Sequence, residues 1–178
     1  MKNRDWNILV AGLAVTAPVA VVAHAEIYLS EDQAAKALFP GVKLKADWAQ
    51  LTPDEVKTVE KASGESVRHP KVRVLWGPKD QALFIDEVLG KHEFITYAVA
   101  LQGGKVKGLE IMEYRETFGQ QVRGKEWRDQ FTGKDKDAPL RVGKDIKNIS
   151  GATLSSVHVT NGVRRVVETY EVLKLRQR

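Results

Sequence analysis

Two different periods organise the apolar positions of this chain. Val72 to Trp76 and Ala82 to Val88 are short runs rich in branched and aromatic residues, and they flank the turn Gly77-Pro78-Lys79-Asp80. Phe94 to Leu101 and Val106 to Tyr114 alternate between apolar and polar residues and meet at Gln102-Gly103-Gly104-Lys105. These four segments predict strands, the last two joined as a hairpin. Near the end the period changes. Val159, Val163, Val166, Val167, Tyr170 and Leu173 recur at steps of three and four, which predicts a helix packed on a core. Arg164, Arg165, Glu168, Glu171 and Lys174 fall largely on its other face and are expected at the surface.

Capping signals add shorter helices. Ser30-Glu31-Asp32-Gln33 opens one that runs to Phe39 before Pro40-Gly41, and Thr52-Pro53-Asp54-Glu55 opens another that ends near Ser63-Gly64. A further short helix is expected around Lys125 to Phe131, followed by the charged loop Gly133 to Pro139. Strands grouped in the middle, with helices before and after, predict an α+β fold built on an antiparallel sheet with flanking helices. A single domain is expected, with residues 26–91 as a lead-in of helices and strands and residues 92–173 as its core.

The start of the chain bears on the compartment. Lys2 and Arg4 precede an almost uninterrupted apolar run from Ile8 to Ala23, and Ala23-His24-Ala25 is a small-x-small cleavage site before Glu26. Residues 1–25 read as a secretory signal peptide, which predicts export to the periplasm. An uncleaved anchor is the alternative; against it, Pro18 interrupts the run, which is shorter than the roughly 20 residues a spanning helix needs. Cleavage therefore implies no permanent membrane anchor. The chain has no cysteine, which excludes disulfides, thiolate metal sites, iron–sulfur clusters and haem attached through Cys-x-x-Cys-His. Its 28 Lys and Arg against 23 Asp and Glu are interleaved, as in Lys-Asp-Lys-Asp. That describes a solvated surface and not a nucleic-acid stripe, so no nucleic-acid partner is expected.

The chemistry concentrates in Ile149-Ser150-Gly151-Ala152-Thr153-Leu154-Ser155-Ser156, directly before the last helix. Small side chains let backbone N–H groups approach a ligand, and the first N–H groups of a helix lack internal partners. Such a place favours an anion, typically phosphate. The hydroxyls of Ser150, Ser155 and Ser156 add donors, and Thr153 is a point for covalent attachment. Taken alone, the segment reads as readily as an ordinary helix cap. Other chemistries have less behind them. His69, His92 and His158 show no metal-ligand spacing, so no metal site is expected. There is no Gly-x-Ser-x-Gly elbow and no Gly-x-Gly-x-x-Gly fingerprint, so neither a hydrolase nor direct NADH oxidation is indicated. Asp86, Glu87, Glu113 and Glu116 read by default as solvated or capping carboxylates.

Three segments in order carry a resemblance: Tyr114-Arg115-Glu116-Thr117-Phe118-Gly119, then Trp127 with Phe131-Thr132-Gly133-Lys134, then the Ser150–Ser156 turn. Over about residues 92–173 the chain resembles the FMN-binding domain of the C subunit of sodium-translocating NADH:quinone reductase and of the G subunit of the Rnf complex. It looks closer to the small periplasmic FMN-binding proteins of this group. The resemblance implies FMN as cofactor, joined by a phosphoester to Thr153 and built there from FAD by a separate flavin transferase. Ser150, Gly151, Ala152, Ser155 and Ser156 would surround the phosphate. Glu116 and Thr117 would line the flavin, Gly119 would allow close approach, and Tyr114, Phe118 and Trp127 are candidates to cover the ring.

Two departures stand out. Lys147 occupies the position where transferase substrates of the family usually carry Asp, with Asp145 two residues further back and able to serve only after a shift of the loop. Phe118, Gly119, Gln120 and Gln121 replace the Pro-Gly and further Gly of the membrane-complex members. The resemblance implies an electron-transfer protein more than a stand-alone enzyme, docking to a quinone- or cytochrome-linked membrane redox partner. Two alternatives stay open: a reductase of a small substrate that holds FMN without a bond, and a flavin-free binding or sensing module on the same fold.

Overall fold

The computed structural model describes residues 26–176, so the leader expected at residues 1–25 lies outside the described residues. The chain order is β1 (Glu26–Ile27), α1 (Glu31–Leu38), β2 (Lys45–Gln50), α2 (Pro53–Ser63), β3 (Lys71–Gly77), β4 (Gln81–Leu89), β5 (Phe94–Gln102), β6 (Lys105–Tyr114), a 3₁₀ turn at Gln120–Arg123, α3 (Lys125–Asp129) and α4 (Thr153–Leu175). One antiparallel sheet of six strands, in the order β1-β6-β5-β4-β3-β2, carries helices on both faces. The α+β architecture is as expected, and the lead-in and core segments share this sheet.

Local chemistry explains the boundaries. Ser30 and Thr52 each close a reciprocal capping box, with Gln33 and Glu55, at the starts of α1 and α2. Gly64, at φ 71°, ends α2 in the left-handed conformation. Gly103 and Gly104 both take positive φ, as the tight turn between β5 and β6 requires.

The sheet separates two apolar layers. On the inner face, Phe84, Tyr97, Val99 and Leu109 pack against Val159, Val163, Val167 and Tyr170 of α4. On the outer face, Leu75, Leu83, Ala98 and Ala100 pack against Ala34 and Leu38 of α1. Helix α4 runs diagonally over the inner face. Ser155 meets Tyr114 of β6, Gly162 leaves room for Tyr97 of β5, Arg165 reaches Asp86 of β4, and Tyr170 contacts Trp76 of β3.

Strand β6 departs from simple alternation twice. Its register against β5 shifts between Ala100 and Leu101 and again between Thr96 and Tyr97, which skips Lys107 and Met112. An extra residue returns the following side chain to the same face. The second bulge leaves Ile111 and Tyr114 both on the inner side, so the Tyr114 hydroxyl faces the start of α4.

The expectation for α4 needs one correction. Arg164 is 6% exposed because α2 and the loop around Leu140 cover it, and Arg165 is half-buried against Ser66, Asp86 and Glu87. Arg164 donates from Nε to Ser63 O at 2.6 Å, from Nη1 to Leu140 O at 2.7 Å and from Nη2 to Glu65 Oε1 at 3.0 Å. A buried guanidinium is tolerated here because its donors are satisfied in three directions.

Candidate functional site

The turn before α4 is built from small residues for a backbone reason. Gly151 sits at φ 82°, and a Cβ built on it meets nothing within 4 Å, so the space beside the turn is open. Ala152 takes the N-cap position and supplies no side-chain cap, and the first turn of α4 carries no acidic residue. The earliest helical bond there runs from Ser156 N to Ala152 O at 2.9 Å. Among the described residues, no acceptor meets the N–H groups of Thr153, Leu154 and Ser155. Three unpartnered donors at the positive end of a long helix form an anion cradle.

The four hydroxyls of the motif separate by burial. Ser150 and Thr153 are exposed, and Thr153 Oγ1 accepts from Asn148 Nδ2 at 3.0 Å. Ser155 is buried and bonded to the Tyr114 hydroxyl at 2.9 Å. Ser156 is fully buried, and its Oγ has no hydrogen-bond partner among the described residues. Thr153 therefore presents the accessible oxygen on the first turn.

The structure brings the Tyr114–Gly119 segment onto this turn. Tyr114 Oη donates to Phe118 O at 2.5 Å and so accepts from Ser155 Oγ. Burial pushes the Tyr114 phenol above its usual value, the Ser155 bond works the other way, and the Glu116 charge adds to the rise. Gly119, at φ 100°, sits against the same pair. A Cβ there would lie 2.5 Å from Tyr114 Oη and 2.6 Å from Ser155 Oγ. Its close approach in this structure is to those two hydroxyls.

Glu116 and Thr117 are placed differently. Thr117 is exposed. Glu116 Oε1 accepts from His92 N at 2.5 Å and Glu93 N at 3.0 Å, so this carboxylate organises the loop between β4 and β5. Burial works to raise its pKa, but the backbone N–H groups of Glu93, His92 and Lys91 outweigh that and hold it below the usual carboxylate range. Of the three aromatic candidates for ring cover, two belong to the core. Tyr114 is 1% exposed; Trp127 is 5% exposed and packs edge-on against Phe131 with centroids 5.1 Å apart. Phe118, by contrast, is 81% exposed, and Leu154 on the first turn of α4 is 46% exposed.

The loop leading into the motif is firmly tied. Trp127 Nε1 donates to Lys147 O at 2.9 Å, and Lys147 N donates to Gln130 Oε1 at 2.8 Å. Asp145 accepts from Arg141 N at 2.9 Å and Leu140 N at 3.2 Å, and pairs with Lys134 at 3.0 Å. Burial opposes ionisation of Asp145, but these amides and the Lys134 ammonium hold its pKa below the usual value. The shift that would put Asp145 in place of Lys147 has to break this set of bonds. Asn148, Gln130 and the Lys134–Asp145 pair escape a reading of the sequence. Lys134 and Asp145 stand in or beside recognisable segments, but nothing in their spacing announces a contact.

The chain's own residues suit a phosphate-bearing group: three free N–H donors, an orphaned buried hydroxyl, an exposed threonine oxygen and apolar side chains at the rim. Comparison with known proteins agrees. The chain is 34% identical over 79 residues to the G subunit of the Na(+)-translocating ferredoxin:NAD(+) oxidoreductase complex of Acetobacterium woodii. That stretch covers 39% of this chain and 38% of the relative, so the chain spans well under half of the relative's length. Residues 90–168, which run from the β4–β5 loop through most of α4, match the FMN-binding domain family, and over that segment the chain is similar to its members.

Proposed function

We propose that this chain is an exported flavoprotein that carries FMN on Thr153 through a phosphoester and passes electrons between a membrane redox system and a partner. The observation that carries the reading is the first turn of α4, where the exposed Thr153 hydroxyl stands beside three unpartnered backbone donors. The cradle would hold the phosphate, Asn148 positions the Thr153 oxygen, and the Tyr114–Ser155–Gly119 contact fixes the turn against the β6 loop. Phe118 and Leu154 offer apolar cover. When bound, FMN supplies one- and two-electron exchange, and the protein sets its exposure and potential.

Electron transfer rests on the relative, named as part of an ion-translocating oxidoreductase complex. A membrane redox assembly is accordingly the proposed partner, and a flavin transferase the proposed maturation enzyme. Export to the periplasm rests on residues 1–25; recovery of a protein whose first residue is Glu26 from a periplasmic extract tests it.

One observation favours a second reading, in which FMN is held without a bond. Lys147 is exposed and Asp145 is locked by Lys134 and two amides, so the loop offers a transferase no free carboxylate. Expression with a flavin transferase, followed by denaturing electrophoresis under ultraviolet light, separates the two. A fluorescent band that vanishes in Thr153→Val supports attachment. Yellow protein whose colour is released on denaturation supports the second reading.

A further inference from the structure

A second cleft, of about 620 Å³, opens where β3 and β4 part. Their ladder stops at the Arg73–Ile85 pair; beyond it, Lys71 and Val72 pair only with β2, while Asp86 and Glu87 pair only with β5. Glu31 at the start of α1 and Arg165, Val166 and Thr169 of α4 line the cleft. The strap at residues 67–69 closes one side. Apolar walls come from Trp48, Leu51, Phe84, Ile85 and Val166. The cleft lies away from Thr153: Arg165, its nearest lining residue on α4, is twelve residues further along, or about 18 Å of helix.

Its charges are unequally satisfied. Glu31 holds Arg73 through two bonds, at 2.8 and 2.6 Å. Asp86 accepts from Tyr97 Oη at 2.9 Å and from Arg165 at 2.7 Å, and Glu87 lies in the field of Arg115. Two of the three lining acids, Glu31 and Asp86, are thus held in ion pairs. Two lining cations, Arg68 and Lys71, pair with no carboxylate among the described residues and rest on rings instead. Arg68 lies over Phe94 at 4.3 Å, and Lys71 over Trp48 at 5.0 Å. His69 sits between them in the strap.

From this arrangement we infer that the β3–β4 fork is a binding site for a small aromatic carboxylate, separate from the FMN turn. The volume suits a ligand of one or two fused rings. The apolar walls take the ring, and the surplus of positive charge at the rim takes the carboxylate. A cationic ring of the same shape would meet Arg68 and Lys71 and be repelled. The family match begins at residue 90, so most of this cleft is built from residues outside it.

The test uses the full exported chain with three probes of one shape: 2-naphthoate, neutral 2-naphthamide and cationic 2-naphthylmethylamine. Binding is followed by calorimetry and mapped by amide chemical shifts. The expected result is 2-naphthoate bound at least about tenfold more tightly than either analogue, the scale that two partly exposed charge contacts supply. Shifts should centre on Ile85, Thr96 and Val166. In the surface variant Arg68→Gln/Lys71→Gln that preference should disappear, while flavin loading on the distant turn stays the same. Absence of 2-naphthoate binding at millimolar concentration overturns the inference. So does equal binding of the three probes, a preference that survives in the double variant, or shifts centred elsewhere.

Discussion

Replacing Gly119 by alanine tests whether the turn before α4 is held by the contact among Gly119, Tyr114 and Ser155. Two costs arise. A non-glycine residue in the left-handed region costs about 1–2 kcal/mol, and Gly119 sits at φ 100°. The added methyl would also stand 2.5 Å from Tyr114 Oη and 2.6 Å from Ser155 Oγ. Relieving that overlap separates the two hydroxyls or pushes the loop away, and losing a buried hydrogen bond costs about 1–3 kcal/mol. Together these predict that Gly119→Ala loses about 2–5 kcal/mol in urea denaturation. The decisive comparison is with Tyr114→Phe, alone and combined. Removing the phenol oxygen loses its two bonds but also opens the space the methyl needs. The double variant should therefore be more stable than additivity predicts by about 1 kcal/mol or more. A loss for Gly119→Ala within about 0.5 kcal/mol, the range of ordinary surface changes, refutes the reasoning. So does strict additivity with Tyr114→Phe.

Further outcomes follow from the same contacts. Arg164→Met should cost at least about 1–3 kcal/mol in denaturant titration, because it leaves the buried carbonyls of Ser63 and Leu140 without their donors. Arg164→Lys should also destabilise, since one ammonium cannot reproduce a planar fork aimed three ways. Trp127→Phe should lose about 1 kcal/mol and speed amide exchange at residues 147–152, because Trp127 Nε1 no longer holds Lys147 O. The Asp145 carboxyl is held below its usual 3.8, so it contributes stability above that value and loses it as pH falls through the lowered one. Urea midpoints measured downward from pH 5 should therefore fall less steeply in Lys134→Met than in the native chain.

Much of this fold was legible because local rules and tertiary packing agree. The four central strands show period-two alternation or compact apolar runs, and both early helices carry complete capping boxes. Strand β2 was invisible for a physical reason. Five of its six residues are exposed, as on an edge strand, so Lys45–Gln50 shows no apolar rhythm. Strand β1 is two residues long, too short for any period. The exposed side of α4 was misread at Arg164, since a guanidinium covered by α2 looks in sequence like a solvated one. At the site, the Ser150–Thr153 turn was legible from residue type alone. The Tyr114–Ser155 contact was not, because it depends on a β-bulge at Met112 that alternation does not announce. Nor was the double tether of Lys147, where the bonding atoms of that residue belong to the backbone and carry no side-chain signature.

The central claim is that Thr153 carries FMN, and intact mass under denaturing conditions tests it most directly. The exported chain, matured with a flavin transferase, should be heavier than the bare chain by one FMN less one water. Peptide mapping should place that increment on Thr153, and Thr153→Val should return the bare mass. A bare mass in the unaltered chain, or an increment on any other residue, would contradict the account.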